Sequence, residues 1–377
     1  MNYRQPFILF KKSLKSGSRI WYYVIYDANG KRRQFSCGTK FKYQALQYCL
    51  DLYKKDAFKI KKASLTFQEY TKDWSIFDKC PYIKERMSRG YVITRNYADR
   101  RRKELEAYAL PFLGKTRIDE INKTLLSNWI NYLKNERGLS NSTTNKIVKG
   151  IKFLLTYAYN KGDIPTDIAK SVQLLKNDSS SRGTFEKVEI QKMFANDALT
   201  KLWNNDILQY VIHLTASKTG MRCGEIQGLQ KENVFPDHIL VEHTWLPQYG
   251  LKDTKTHKSR EIPISQELYH YIKKIMDTQT KGNYVFSLRY GTAPISSTCI
   301  NKKLKLILRK IGIEEEQQQK RRLSFHSYRH YVNTLLITSG IPKSIVQSII
   351  GHVGDDAMTE HYTHISLEDE KQVLKII

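Results

Sequence analysis

A set of cationic side chains and one tyrosine, each in its own short motif, follows the order Arg222, Lys255, His326, Arg329, His352 and Tyr362. If folding brings them together, the two guanidinium groups can bind two non-bridging oxygens of one phosphodiester. The same charges stabilise the negative charge that builds up on a pentavalent phosphorus. A tyrosine can attack phosphorus as a covalent nucleophile, and a lysine or histidine can protonate the leaving 5′ oxygen. The set therefore predicts cleavage of a phosphodiester.

The local motifs indicate which elements carry these side chains. Arg222 follows the helix-ending glycine of Thr-Gly-Met-Arg-Cys-Gly-Glu, and Glu225 stands three residues on. Lys255 lies in Thr-Lys-Thr, ahead of Ser-Arg-Glu-Ile-Pro-Ile, a pattern that predicts a hairpin of two strands around a short turn. His326 and Arg329 are three residues apart and share one face of a predicted helix. Each residue alone is more often a surface cation or a buried histidine, but the ordered set is hard to explain in that way.

The sequence predicts neither a metal site nor a cofactor. His326 and His330 lie four residues apart, but bulky residues stand between them. The group formed by His352, His361 and His364 lacks a clear acidic or cysteine partner. The chain contains no H-E-x-x-H, no G-x-S-x-G and no complete P-loop. A carboxylate cluster for magnesium is also missing, and the two arginines can supply the positive charge instead.

The balance of charge indicates a polyanionic partner. The chain has 377 residues with 63 Lys and Arg against 37 Asp and Glu, so its net charge is +26. So large an excess repels itself unless nucleic acid or an anionic membrane surface screens it. No apolar run reaches the roughly 18 residues that predict a transmembrane helix. The five scattered cysteines contain no C-x-x-C, which is typical of a protein in a reducing cytoplasm.

Three segments with different patterns predict a multidomain α+β fold. Residues 1–62 carry a net charge of +12 and predict a small three-stranded sheet with one helix. Residues 63–175 have the apolar spacing of helices throughout and predict an all-α unit. Residues 184–377 predict a mixed, mainly α domain with a small sheet. Polar stretches at 58–65 and 175–183 predict linkers between the segments.

Basic residues in the first two segments predict contacts to DNA. The candidates are Trp21, Lys31, Arg32 and Arg33 in the first segment and Arg100, Arg101 and Arg102 in the second. Lysine and arginine bind phosphates, and an aromatic side chain in the same surface can contact bases. An alternative stays open for Trp21 and its aromatic neighbours, which can equally form the core of the sheet and leave only the basic residues in solvent.

These motifs, in this order, resemble the tyrosine recombinase family, in particular the phage- and transposon-type integrases, over essentially the whole chain. The resemblance implies an active site made of Arg222, Lys255, His326, Arg329, His352 and Tyr362, with Glu225 supporting the first arginine. It implies an arm-site DNA-binding domain at 1–62 and an α-helical, SAM-like core-binding domain at 63–175. Residues 184–377 then form the catalytic domain with its C-terminal tail.

The resemblance further implies a site-specific recombinase that integrates and excises a mobile element through a 3′-phosphotyrosine, without metal or ATP. Its implied partners are double-stranded DNA at core and arm sites, further copies of the chain in a homo-tetramer on DNA, and a DNA-bending protein or excisionase. The tail would contact a neighbouring copy. The implied location is the bacterial cytoplasm, at the nucleoid and not at a membrane. Two alternatives stay open: a type IB topoisomerase-like enzyme, and a non-catalytic DNA-binding protein on the same scaffold.

Overall fold

The computed structural model forms two compact units, Met1–Ser179 and Ser180–Ile377. It describes residues 7–14, 17–26, 32–54, 65–176, 183–253, 259–351 and 366–377. No helix in those ranges combines the length and the apolar composition of a membrane span. The boundary between the units falls in the polar stretch 175–183, where the sequence predicts a linker. Some of the predicted functional residues lie outside the described ranges, namely Lys31, Lys255, His352 and Tyr362.

The first unit contains a small antiparallel sheet and one helix. These elements are β1 (Ile8–Ser13), β2 (Arg19–Tyr26), β3 (Arg32–Ser36) and α1 (Lys42–Lys54), and the strand order is β1-β2-β3. Side chains alternate between the two faces of a strand, so Tyr23 and Ile25 project from the same face of β2. They form a small core with Phe7 and with Cys49 of α1. This confirms the predicted sheet-plus-helix arrangement.

The rest of the first unit is helical. Its helices are α2 (Phe67–Tyr70), α3 (Pro81–Ser88), α4 (Arg95–Glu104), α5 (Leu110–Leu113), α6 (Lys123–Asn135), α7 (Asn141–Asn160) and α8 (Ile168–Ser171). One π-helical turn, Leu105–Ala109, joins α4 to α5. α7 buries Ile147, Ile151 and Leu154 at helical spacing, as its sequence predicts. The indole of Trp129 in α6 is fully buried in the same core.

The second unit is mixed but mainly helical. Its helices are α9 (Lys187–Met193), α10 (Ala198–Lys201), α11 (Ile207–Thr219), α12 (Cys223–Gln227), α13 (Gln266–Thr278), α14 (Ser297–Lys310), α15 (Glu315–Lys320), α16 (His326–Thr338), α17 (Lys343–Ile350) and α18 (Leu367–Lys371). Its strands are β4 (His238–Val241), β5 (His243–Leu246), β6 (Gly250–Asp253) and β7 (Arg260–Pro263). α11 is buried along nearly its whole length and packs against α13, α14 and α16. The predicted multidomain α+β fold is confirmed.

The strands on either side of Lys255 belong to different sheets. β6 pairs with β5, whereas β7 pairs with β4, both in antiparallel fashion. The pairing of β7 follows from apolar burial, because Ile262 lies opposite Ile239 and both are fully buried in the core. The first strand of the predicted hairpin, residues 254–256, lies outside the described residues. The second strand forms as β7 but takes β4 as its partner.

The C-terminal residues pack on their own unit. Val373, just after α18, is fully buried in the core, and Ile376 and Ile377 pack against that core. Lys218 of α11 donates a hydrogen bond from Nζ to the Ile377 carbonyl oxygen at 3.0 Å. The expected contact of this tail with a neighbouring copy stays a prediction. Within one copy, these apolar side chains pack against the unit that carries them.

Candidate active site

A left-handed glycine determines where Arg222 lies. α11 ends at Thr219, and Gly220 caps it with a φ of +64°. A Cβ at this position would lie 2.8 Å from Cδ1 of Ile350 in α17, so only glycine fits without strain. The chain turns sharply here, and Arg222 becomes the N-cap of α12. The predicted helix-ending role of this glycine is confirmed.

Glu225 binds Arg222 through its side chain and its main chain. Arg222 Nη1 donates to Glu225 Oε1 at 2.6 Å, and the Arg222 backbone N–H donates to Oε2 at 2.9 Å. The Arg222 Nη2 donates to the carbonyl oxygen of Gly351 at 3.2 Å. The Glu225 side chain is only 2% exposed, whereas that of Arg222 is 36% exposed. A buried carboxylate therefore orients an arginine whose head group still reaches solvent.

Arg260 of β7 binds the same carboxylate. The sequence motifs did not predict a role for this arginine. Its Nη2 donates to Glu225 Oε2 at 2.7 Å, and its Nη1 donates to Oε1 at 3.3 Å. One signal could have found it. Strand alternation puts Arg260 on the same face as Ile262, which is fully buried, so an arginine occupies an inward-facing position. Such a position calls for a buried acidic partner.

The charge state of Glu225 follows from these neighbours. Burial by itself raises the pKa of a carboxyl group, but the charges and hydrogen bonds of Arg260 and Arg222 outweigh that effect and lower the pKa of Glu225 to about 2. Glu225 is therefore ionised at neutral pH. It stabilises two guanidinium groups that would otherwise repel each other.

Arg329 is buried with part of its hydrogen-bonding capacity unused. It lies in α16, is 2% exposed, and donates from Nη1 to the Gly220 carbonyl oxygen at 3.2 Å. Its Nε and Nη2 have no hydrogen-bond partner within the part of the chain that the structure describes. Burial, and next the nearby charge of Arg222, lower the pKa of Arg329 to about 9. A buried cation beside another cation, with N–H groups to spare, is suited to bind an anion.

His326 begins the helix that carries Arg329. It is the first residue of α16, and its ring lies 4.9 Å from the ring of His330, edge to face. The three-residue spacing puts His326 and Arg329 on one side of the helix, as predicted. Among the described residues, no three His, Cys, Asp or Glu side chains form a group that could hold a metal ion.

Two of the three predicted arginines in α4 have hydrogen-bond partners within their own unit. Arg101 Nη1 donates to Glu104 and to the Lys146 carbonyl oxygen, at 2.8 and 2.7 Å. Arg102 forms an ion pair with Glu106 and donates to the Thr71 carbonyl oxygen. These contacts hold the ends of both side chains within their own unit. Arg100 is 61% exposed, so it is the member of this triplet whose side chain reaches furthest into solvent.

The aromatic and basic residues of the small sheet divide between its two faces. Trp21 lies on the β2 face that carries Tyr23 and packs toward α1, with Lys42 Nζ 5.8 Å from its ring centre. Arg32 lies on the other face, with its guanidinium 5.9 Å from the ring of Phe10. Arg33 is exposed at the edge strand. The predicted contacts of these residues with DNA stay predictions.

Four residues of the second unit form one cluster. Arg222, Arg260 and Arg329 gather around the single carboxylate of Glu225. Two of the remaining predicted residues lie beside this cluster in sequence, because Gly351 directly precedes His352 and Arg260 follows Lys255 by five residues. Three guanidinium groups around one carboxylate leave a local excess of positive charge. The cluster can bind and polarise a phosphate group.

Comparison with known proteins gives matches along most of the chain. Residues 184–368 match the phage integrase family, and residues 80–174 match the phage integrase SAM-like domain. Transposase B from transposon Tn554 of Staphylococcus aureus is 28% identical over 167 residues, which is 42% of this chain. The chain spans only about a quarter of the length of that relative, 25%.

Solved structures share the fold of the chain. An integrase of the Tn1549 transposon, solved with transposon right end DNA, has a TM-score of 0.59 and 20% identity over 78% of this chain and 97% of its own. A lambda integrase tetramer bound to a Holliday junction has a TM-score of 0.57 and 14% identity over 95% of this chain and 97% of its own. At this identity the likeness is one of fold. With matches to both family models and the arginine cluster in its expected motifs, the chain belongs to the phage integrase family of tyrosine recombinases.

Proposed function

We propose that this chain is a site-specific DNA recombinase that cuts and rejoins DNA through a 3′-phosphotyrosine, and so integrates and excises a mobile element. One observation carries the proposal. Arg329 is buried next to Arg222, yet two of its nitrogen atoms have no partner among the described residues. Burying a cation without full hydrogen bonding is costly unless a ligand completes it. A phosphodiester supplies the charge and the acceptor oxygens that this pair lacks.

The predicted site residues then take definite roles. Arg222 and Arg329 hold the scissile phosphate and stabilise the charge of the pentavalent transition state. Tyr362 gives up its hydroxyl proton to a histidine of the site, its oxygen attacks phosphorus and forms a new oxygen–phosphorus bond, and the bond from phosphorus to the 5′ oxygen breaks. Lys255 gives a proton to that 5′ oxygen, and His326 and His352 complete the set around the phosphate. A 5′ hydroxyl of another strand attacks the phosphotyrosine and reverses the step.

The partners follow from the charge and the family. The net charge of +26 suits double-stranded DNA, and the lambda integrase of similar fold was solved as a tetramer on a Holliday junction. We propose a tetramer of this chain on two duplexes, with core sites bound by residues 63–175 and 184–377 and arm sites bound by residues 1–62. A DNA-bending protein or an excisionase would assist. Such work takes place at the bacterial nucleoid, in the cytoplasm.

A suicide substrate tests the proposal. The probe is duplex DNA from the ends of the element that carries the gene, nicked so that the cleaved fragment diffuses away. We expect the wild-type protein to form an adduct that survives SDS, with the 3′ end attached and a free 5′ hydroxyl. Tyr362→Phe should bind the same DNA with near-normal affinity and form no adduct. Peptide mapping that finds the nucleotide on another tyrosine, or a 5′ linkage, would overturn the assignment.

The same substrate separates the two alternatives. A topoisomerase-like enzyme would form the adduct but would not exchange strands between two duplexes. A non-catalytic DNA-binding protein would shift the probe in a gel and leave it uncut. We expect the adduct and, with two intact partner sites, recombinant products.

A further inference from the structure

Arg260 makes more contacts than its ion pair with Glu225 alone would require. Its side chain is 8% exposed. Besides its two hydrogen bonds to Glu225, its Nε donates to the Ile349 carbonyl oxygen at 2.8 Å. Nη1 and Nη2 therefore bind α12, and Nε binds the C-terminal end of α17.

The same guanidinium also lies close to Gly351. A Cβ built on Gly351 would lie 3.1 Å from Arg260 Nη1 and 3.2 Å from its Cζ. Gly351 is the left-handed C-cap of α17, with a φ of +64°, and its carbonyl oxygen accepts the hydrogen bond from Arg222. Arg260 and Arg222 thus both contact the turn that leads to His352.

We infer that Arg260 is a positioning residue for DNA cleavage, which holds the Arg222–Glu225 pair, the strand that follows Lys255 and the turn that precedes His352 in one arrangement. The inference rests on the proposed function for its catalytic consequence. Arg260 touches no reacting atom and acts through Glu225 and Gly351. A reaction of this kind depends on such alignment, because a misplacement of about 1 Å can cost about 10²-fold in rate.

Lysine cannot replace this arginine, although it keeps the charge. A single ammonium group can pair with Glu225, but it cannot also reach the Ile349 carbonyl oxygen with the fixed fork of a guanidinium. Arg260→Lys therefore separates alignment from charge, and Arg260→Gln removes both. Arg321 provides a matched control. It forms the same two-pronged pair with Glu189 elsewhere in the unit, at 2.5 and 2.9 Å.

The first test needs no DNA. In the free protein we expect Arg260→Lys and Arg260→Gln to speed amide hydrogen exchange in the peptide that covers residues 345–351, by about tenfold or more. Arg321→Gln should lower the thermal stability but leave exchange in that peptide as it is in the wild type. Exchange that is unchanged in both Arg260 variants would overturn the inference, whatever the protein does to DNA.

The second test follows single-turnover cleavage of the nicked substrate. We expect Arg260→Gln to cleave about 10²-fold more slowly and Arg260→Lys about tenfold more slowly. Binding of the same DNA should change by less than about threefold in both, because Arg222 and Arg329 still face the phosphate. Arg321→Gln should cleave at the wild-type rate. If the wild type forms no adduct, the proposed function fails while the exchange experiment still decides the inference.

The pH profile adds a readout that a purely structural ion pair would not move. Glu225 faces Arg222, Arg260 and Arg329, and Glu242 and His243 line the small space next to it. Without Arg260, only Arg222 opposes the effect of burial, so the pKa of Glu225 should rise and cleavage by Arg260→Gln should fall more than that of the wild type as the pH is lowered from 7 to 5. Arg260→Lys should keep the wild-type pH profile. Parallel profiles for all three proteins would contradict the positioning role.

Discussion

Arg222 donates a hydrogen bond from Nη2 to the carbonyl oxygen of Gly351, across 129 residues of sequence. This contact ties the first arginine of the site to the turn directly before His352. Glu225 holds the other side of the same guanidinium at 2.6 Å. The head group of Arg222 is thereby fixed by a carboxylate and a carbonyl before any DNA binds, so little reorganisation is needed when a phosphate arrives.

Replacing Arg329 should separate stability from activity. Arg329→Met removes a buried cation that Arg222 and Arg260 repel and that has unpaired N–H groups among the described residues. We expect the free energy of unfolding at pH 7 to stay the same or rise by about 1–2 kcal/mol. Cleavage of the suicide substrate should fall by about 10²–10³-fold or more. Urea unfolding and single-turnover kinetics measure the two effects.

An anion provides the control for that substitution. Sulfate should raise the melting temperature of the wild type, because it binds the folded arginine pair. The rise should be clearly smaller in Arg329→Met. A variant that is less stable than the wild type, or that gains as much from sulfate, would argue against an anion site at Arg329.

Lys255 is expected to be the acid that protonates the leaving group. A lysine near several arginines loses its proton more readily than one in water, which suits it to proton transfer. Lys255→Ala should slow cleavage by roughly 10²–10⁴-fold. A substrate with sulfur at the 5′ bridging position needs little protonation and should restore most of the rate. The absence of any such rescue would make Lys255 a binding residue.

Removing residues 1–62 should affect arm sites and not core sites. These residues carry a net charge of +12 and form a separate small core in the structure. The shortened protein should still bind and cleave core DNA, while integrative recombination drops sharply. Gel shifts on separate core and arm duplexes measure this, and equal binding of arm DNA by both proteins would rule it out. Binding by the full chain should fall by about 10³-fold or more between 50 and 200 mM salt.

His213 should make the second unit sensitive to acid. Its ring is buried among Trp203, Phe325 and Tyr328, and burial lowers the pKa of His213 to about 3. Between pH 6.5 and 3 the unfolded chain binds a proton that the folded chain does not, so stability falls as the pH is lowered, by about 1.4 kcal/mol per pH unit. From pH 7 to 5 the wild type should lose about 2 kcal/mol more than His213→Phe does. Equal losses in urea unfolding would contradict this.

Features that depend on neighbouring residues could be predicted from the sequence. The spacing of Ile147, Ile151 and Leu154 predicts α7, and the glycine before Arg222 predicts the end of α11. The three-residue spacing of His326 and Arg329 places both on one side of α16. Helix periods, strand alternation and helix caps are local properties, and the chain encodes them within a few residues. The order of the motifs adds the family resemblance.

Contacts between distant residues were decided by tertiary structure alone. No local pattern pairs Arg260 with Glu225, 35 residues away, or closes Arg222 on Gly351. Nor does a local pattern show that Arg102 donates a hydrogen bond to the Thr71 carbonyl oxygen, or that Val373 is buried in the core of its own unit. The sequence shows which residues carry charge or apolar surface. Which partner satisfies each of them depends on how the elements pack, because burial and pairing are properties of the assembled core.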